Sequence, residues 1–401
     1  MLHHVRRTIV STLAAVVVAG AVVGGPALAA PPVDVIRNAG GPSAVPDSYI
    51  VVLKDGAKTG PTRAAAADAA LAGRYDAAAV HSYTSALRGF SVRASQAAAR
   101  RLAADPAVAY VEQNQWVRAD DTQTNPPWGL DRVDQRNLPL SASYTYPADG
   151  GQGVRIYIVD TGIRVTHQDF GGRAVQGVDL VDGGPADDCH GHGSHVAGTA
   201  GGATFGVAKR ATLVAVRVLD CDGRGDVART LAGVDWITAN AVKPAVVNMS
   251  LGYLDESGPA ALEAAVARSI GTGLTYAVSA GNMNGDACAQ VPARVPAAIT
   301  VSASEPSDST WPSSNEGPCT DLFAPGLNVN SAHYTSDTVV WTRSGTSMAS
   351  PHVAGAAALI LGPNPARTPQ QVRDEIVARA TPGVLRWVTP DTVNLLLYVG
   401  P

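Results

Sequence analysis

From residue 154 onward, short runs of β-branched residues alternate with alanine-rich stretches, and this alternation limits the fold more than any other feature of the chain. Residues 154–159, 212–218, 245–249, 274–279 and 299–302 read as strands, with helices expected at 193–201, 227–240, 258–271 and 347–361. The strands are apolar throughout rather than at every second position, as burial on both faces of a parallel sheet requires. The fold class is therefore α/β, a doubly wound, mostly parallel sheet. In such folds ligands bind beyond the carboxyl ends of the strands, and Asp160 stands at one such end.

The region before this pattern is organised differently. Residues 1–30 carry Arg6 and Arg7, an apolar run from Ile9 to Val23, and Ala27-Leu28-Ala29, the charged, apolar and small-residue zones of a secretory signal. A membrane anchor is the competing reading, but the run is shorter than the ~20 residues a bilayer span needs. No later segment is apolar enough to span, so an extracellular, membrane-free protein is expected. Residues 31–46, rich in Pro, Gly and Ala, read as a linker. Residues 47–121 follow with strand 49–53, helix 62–75, strands 80–84 and 89–92, helix 95–104 and strand 108–112. That βαββαβ order describes a small α+β, ferredoxin-like domain. Residues 122–401 hold the α/β pattern with 18 Lys plus Arg against 25 Asp plus Glu, a balance of −7, so nucleic acid is not an expected partner.

Chemistry concentrates in three segments rich in small residues, Ile158-Val159-Asp160-Thr161-Gly162, His190-Gly191-His192-Gly193-Ser194-His195 and Gly345-Thr346-Ser347-Met348-Ala349. A serine hydroxyl becomes a useful nucleophile when an imidazole takes its proton, and the imidazole needs a carboxylate to fix its tautomer. One Asp, one His and one Ser supply those roles. Each alone has an ordinary structural reading, as turn residue, packing residue or helix cap. Cys189, His190, His192 and His195 also form a ligand-rich cluster, but the zinc-peptidase spacing of two His with an intervening Glu is absent. Cys189, Cys221, Cys288 and Cys319 make an even number in an exported chain, which reads as disulfides with three pairings open.

Around these residues the blocks Val159-Asp160-Thr161-Gly162-Ile163, Gly191-His192-Gly193-Ser194-His195-Val196-Ala197-Gly198-Thr199 and Ser344-Gly345-Thr346-Ser347-Met348-Ala349-Ser350-Pro351-His352 resemble the three active-site blocks of the subtilisin-like serine proteases. The order Asp, His, Ser is that of subtilisin. From Trp128 to about Tyr398 the chain is similar to the proteinase K branch, most closely the aqualysin type, through Trp128-Gly129-Leu130-Asp131-Arg132 and the cysteine placement.

The resemblance implies a secreted serine endopeptidase of broad specificity, acting on proteins and peptides through an acyl-enzyme. Asp160, His192 and Ser347 would be its triad and Asn282 an oxyanion-hole donor. Ser250, Leu251, Gly252, Ala280 and Gly281 would line the pocket for the side chain before the scissile bond, with an extended strand near 223–226 pairing with substrate. Gly252-Tyr253 replaces a usual pair of glycines, and His190 a usual Asn. The implied disulfides are Cys189 with Cys221 and Cys288 with Cys319. Two structural calcium sites are implied, one from Asp321 with the carbonyls of Pro296 and Ala298, the other from Asp131, Asp134 and Gln135. Residues 47–121 resemble the propeptide that assists folding and inhibits the enzyme, with a processing cut expected between Asp120 and Asn125. A monomer without a catalytic metal is expected. The reading from another class is a catalytically silent binding protein on the same fold.

Overall fold

A computed structural model describes residues 36–40, 44–54, 60–117, 120–253 and 258–400. It divides into two compact units, residues 1–117 and 118–401. The expected secretory signal lies outside the described residues. Among those described, no helix is long and apolar enough to cross a membrane.

The first unit contains β1 (Ile36–Arg37), β2 (Ala44–Leu53), α1 (Pro61–Gly73), β3 (Ala78–Tyr83), β4 (Gly89–Arg93), α2 (Gln96–Ala103) and β5 (Val108–Gln115). Its sheet runs β1-β5-β2-β4-β3, with β2 antiparallel to both β4 and β5. This is the ferredoxin-like arrangement that the βαββαβ order implied. Alternate residues of β2 and β4, Tyr49, Val51, Phe90 and Val92, bury against Leu71 of α1 and Leu102 of α2. The Ser95 hydroxyl accepts the Ala98 amide and so starts α2. Part of the stretch expected as a linker is sheet: β1 pairs in parallel with β5, and Ala44, Val45 and Pro46 belong to β2. The physical reason is Ile36, which is buried in this core.

The second unit opens with β6 (Asp120–Thr124), α3 (Trp128–Val133), β7 (Ser143–Pro147), β8 (Arg155–Asp160), β9 (Ala174–Asp179), α4 (His192–Gly201), β10 (Thr212–Arg217), α5 (Val227–Asn240) and β11 (Ala245–Met249). It continues through α6 (Ala260–Gly271), β12 (Thr275–Ser279), β13 (Ile299–Ser304), β14 (Leu322–Pro325), β15 (Val329–Ala332), β16 (Val340–Arg343), α7 (Thr346–Leu361), α8 (Pro369–Arg379), β17 (Thr381–Pro382) and β18 (Leu395–Leu396). The main sheet has the order β17-β18-β14-β13-β12-β11-β8-β10-β9, parallel from β18 to β9.

Both faces of this sheet are covered, which explains the unbroken apolar strands. In β8, Ile156 and Ile158 face the layer of α4 and α7, among Val196, Ala200, Val353 and Ala357. Tyr157 and Val159 face α5 and α6, among Val234, Ile237, Leu262 and Val266. Helix α7 is apolar on all sides and every residue except Ser347 is buried. Such a helix belongs inside a large domain.

Disulfides join Cys189 to Cys221 and Cys288 to Cys319, with sequence separations of 32 and 31. Closing loops of that length stabilises by roughly 3 to 4 kcal/mol each in the chain-entropy account. The double variant Cys288→Ser/Cys319→Ser is expected to lose about that amount in chemical denaturation of the protein. A midpoint equal to that of the parent protein would contradict this.

Candidate active site

The carboxyl ends of β12, β11 and β8, three neighbouring strands, deliver Ala280-Gly281-Asn282, Ser250 and Asp160 to one edge of the sheet. Helices α4 and α7 begin at the same edge with His192 and with Thr346-Ser347. Segments far apart in sequence therefore meet because a parallel sheet puts all its carboxyl ends on one side.

Asp160 is fully buried, and its two oxygens lie 2.8 and 2.9 Å from Nδ1 of His192. An ionised carboxylate only accepts hydrogen bonds, so Nδ1 carries the proton and Nε2 is left as a base. The Thr161 amide also donates to Asp160, at 2.8 Å. The start of α4 is pinned by Asp188, whose carboxylate accepts the His190, Gly191 and Ser194 amides at 2.8 to 2.9 Å and the Thr161 hydroxyl at 2.9 Å. Thr161 in turn accepts the Gly193 amide at 2.9 Å. No side chain fits at Gly193, where an added Cβ would stand 2.1 Å from the Gly162 carbonyl oxygen. This close approach brings His192 onto Asp160.

Ser347 owes its position to a proline. Pro351 lies in the second turn of α7 and has no amide hydrogen to offer the Ser347 carbonyl, four residues back. The Ser250 hydroxyl fills that vacancy at 2.8 Å, and it is itself held by Asn248 at 2.9 Å, which accepts from Ser350 at 2.8 Å. The Ser347 Oγ donates to the Ser250 carbonyl at 3.2 Å in this resting arrangement. Ser347 and His192 line one cavity of about 680 Å³, together with Thr161, Ser250, Leu251, Gly252 and Tyr253.

Asn282 has a fixed orientation. Its Oδ1 accepts both the Thr346 amide and the Thr346 hydroxyl at 2.8 Å, and among the described residues the side-chain NH2 has no acceptor. A second, smaller cavity of about 170 Å³ is lined by Asn282, Gly281, Ser279, Met283, Gln290, Ser347 and the segment Leu251-Gly252-Tyr253. Of the residues expected to form a substrate pocket, Leu251, Gly252 and Gly281 line this second cavity, whereas Ala280 lies fully buried behind it and Ser250 faces the first cavity. Tyr253 fills the place of a usual glycine and forms a wall common to both.

Other candidates are structural. The Nε2 of His195 bonds to the Val329 carbonyl at 2.9 Å, and burial pushes its pKa down to about 3, so this imidazole stays neutral. Among the described residues, no three His, Cys, Asp or Glu are arranged to hold a metal ion. The Asp321 carboxylate accepts the Thr300 amide at 2.8 Å and pairs with the Arg373 guanidinium, so the set with Pro296 and Ala298 does not fit calcium as it stands. Asp131 accepts the Ser141 and Ala142 amides, each at 2.8 Å, and the Gln135 side chain donates to the Asn137 and Pro139 carbonyls. Only Asp134 retains a cation-binding feature: Oδ2 accepts the Thr145 amide at 2.6 Å, but buried Oδ1 has no partner, and burial raises the carboxyl pKa to about 6.

Asp188, Thr161, Asn248 and Ser350 position the site and were not anticipated as site residues. A polar Asn inside the otherwise apolar run 245–249 was the available signal, as was an Asp shortly before a helix.

Fold and site together define a serine hydrolase built on a parallel sheet. Residues 151–394 match the Subtilase family and residues 48–120 match Peptidase inhibitor I9. The chain is 49% identical to the "Extracellular serine proteinase" of a Thermus species over 374 residues, 89% of this chain and 90% of that protein. It is 47% identical to "Alkaline serine exoprotease A" of Vibrio alginolyticus over 319 residues, 78% of this chain and 58% of that longer protein. The solved structure of a cold adapted subtilisin-like serine proteinase superposes with a TM-score of 0.67 at 47% identity, covering 69% of this chain and 100% of that one. The chain belongs to the Subtilase family and is a serine-type endopeptidase.

Proposed function

We propose that Ser347 attacks the scissile carbonyl of a protein substrate while His192 takes its proton, and that the acyl-enzyme so formed is released by water with the roles of His192 reversed. Asp160 holds the imidazole in the tautomer that leaves Nε2 unprotonated and stabilises its charged form. The observation that carries this reading is the approach of both Asp160 oxygens to His192 Nδ1, with Ser347 across the same cavity.

The tetrahedral intermediate places charge on the former carbonyl oxygen. The Asn282 NH2 and the Ser347 amide at the start of α7 are its donors, aided by the helix dipole. Asn282→Ala is expected to lower kcat about 10²- to 10³-fold with KM little changed, the size known for the Asn of subtilisin itself. A kcat within about twofold of the parent enzyme would remove Asn282 from the oxyanion hole.

The side chain before the scissile bond enters the cavity beside Asn282, and residues upstream pair with Arg224-Gly225-Asp226 along the larger cavity, a stretch that follows a turn at Gly223 rather than forming the expected strand. Main-chain pairing tolerates most side chains, which supports broad specificity. The I9-type unit acts as an intramolecular inhibitor removed by self-cleavage within Asp120–Asn125. Because Asp120–Thr124 pairs with β7, that ladder has to open before such a cut. The mature enzyme works outside the cell as a monomer, with Asp134 as the residue that would hold a structural calcium. Loss of casein upon adding the purified form freed of its first unit tests the reading, and intact casein would favour a silent binding protein.

A further inference from the structure

His190 is the residue of the cleft that catalysis leaves unused. Its ring lines the larger cavity with His192, Ser347, Gly223 and Arg224, with the two imidazole centroids 6.4 Å apart. It packs against Gly223 so closely that a Cβ added there would lie 3.0 Å from Nε2. The main chain of His190 is fixed, since its amide donates to Asp188 at 2.9 Å and its carbonyl accepts from Arg343 at 3.4 Å. The side chain has no such anchor, since among the described residues the buried Nδ1 has no hydrogen-bond partner.

Protonation turns both ring nitrogens into donors, and among the described residues no uncommitted carboxylate stands near to receive them. Asp160 is committed to His192. Asp188 is committed to three amides and the Thr161 hydroxyl. Among the described residues no Asp or Glu lines the cavity, whereas Arg224 does and makes no ion pair. The charged and titratable groups facing His190 are Arg343 on β16, His192 on α4, His333 after β15, Arg224, Asp188 and Asp160. Burial first, then Arg343 and His192, hold its pKa below the ordinary 6.5 against the opposing pull of Asp188 and Asp160. The imidazole is therefore neutral in mild base and acquires its charge only as the pH falls below the ordinary histidine value.

Substrate geometry says what completes it. Successive side chains of an extended strand point to opposite sides. If the residue before the scissile bond fills the cavity at Asn282, as proposed above, the residue before that one points the other way, toward the wall formed by His192 and His190. We propose that His190 is a specificity-determining residue whose protonated ring donates to a carboxylate on the side chain two residues before the scissile bond, so that preference for Glu or Asp there grows as pH falls. The assignment rests on the triad reading of the site.

The test uses the mature enzyme and three peptides that differ only in Glu, Gln or Lys at that position. Ratios of kcat/KM at one pH cancel the titration of His192, and a free Glu with a pKa of about 4.3 stays ionised through most of the range. Between pH 8 and pH 5 the Glu-to-Gln ratio is expected to rise about tenfold and the Lys-to-Gln ratio to fall, as one charge-assisted hydrogen bond gained would give. In His190→Asn, or His190→Gln should the first variant fold poorly, both ratios should stay flat. A flat ratio in the parent enzyme, or an equal rise in the variants, overturns the proposal. Cleavage of the three peptides by Ser347→Ala at a tenth of the parent rate or more would instead overturn the catalytic reading beneath it.

Discussion

Ser347→Ala is expected to lower kcat for peptide hydrolysis by roughly a million-fold, the loss that subtilisin itself shows for its nucleophile. The substitution removes one hydroxyl whose only hydrogen bond among the described residues is a 3.2 Å contact with the Ser250 carbonyl, so the surrounding structure stays as it is. The Ser347 carbonyl keeps its bond from Ser250, and α7 keeps its buried surface. Residual catalysis of 10³- to 10⁴-fold over water should survive from oxyanion binding and substrate positioning. On a gel the variant should accumulate at full length with its first unit attached, and casein should persist beside it. A variant that digests casein at a tenth of the parent rate would place the nucleophile elsewhere.

Asp160→Asn should cost about 10⁴-fold in kcat while leaving the fold in place. The two side chains have the same shape, so the buried cavity remains filled. What changes is hydrogen-bond polarity. Two acceptors now face His192 Nδ1 at 2.8 and 2.9 Å, and an amide would turn a donor toward it, so the proton moves to Nε2 and the base facing the cavity is lost. The Thr161 amide still needs the remaining oxygen, which favours that orientation of the amide. Turnover of a chromogenic peptide together with the thermal unfolding midpoint measures both parts. A large loss of midpoint would mean that Asp160 holds the fold rather than the tautomer.

The parallel core was readable because its strands are buried on both sides and therefore apolar without interruption. Ala245–Met249 and Val227–Asn240 lie where the pattern put them, β10, β12 and β13 differ from it by one or two residues at one end, and β8 is shifted by one residue at both ends. Peripheral elements carry less signal. Strand β9 is an edge strand that includes Gln176 and Gly177, and β14 has four residues, too few for a period to emerge. Helix α8 announces itself by Thr368, Pro369 and Gln371, a capping box with Pro at the first turn, yet its low apolar content hid it.

The reacting groups were legible from their small-residue settings, but their supports were not. Nothing in the letters says that Pro351 withholds an amide from Ser347 and that Ser250 supplies the missing donor, since the two are joined only through the β11–α7 packing. Asp321 shows the converse. The family resemblance implied a calcium beside it, and the structure places the Arg373 guanidinium there, 52 residues away.

The central claim is that Ser347 becomes the acyl-carrying nucleophile of this endopeptidase. Treating the mature enzyme with a sulfonyl fluoride and mapping the adduct by mass spectrometry tests it directly. One adduct per molecule, confined to the peptide that holds Ser347, with activity lost in proportion and no labelling in His192→Ala, is the predicted result. Full labelling at another residue, or full activity in a protein labelled at Ser347, would contradict it.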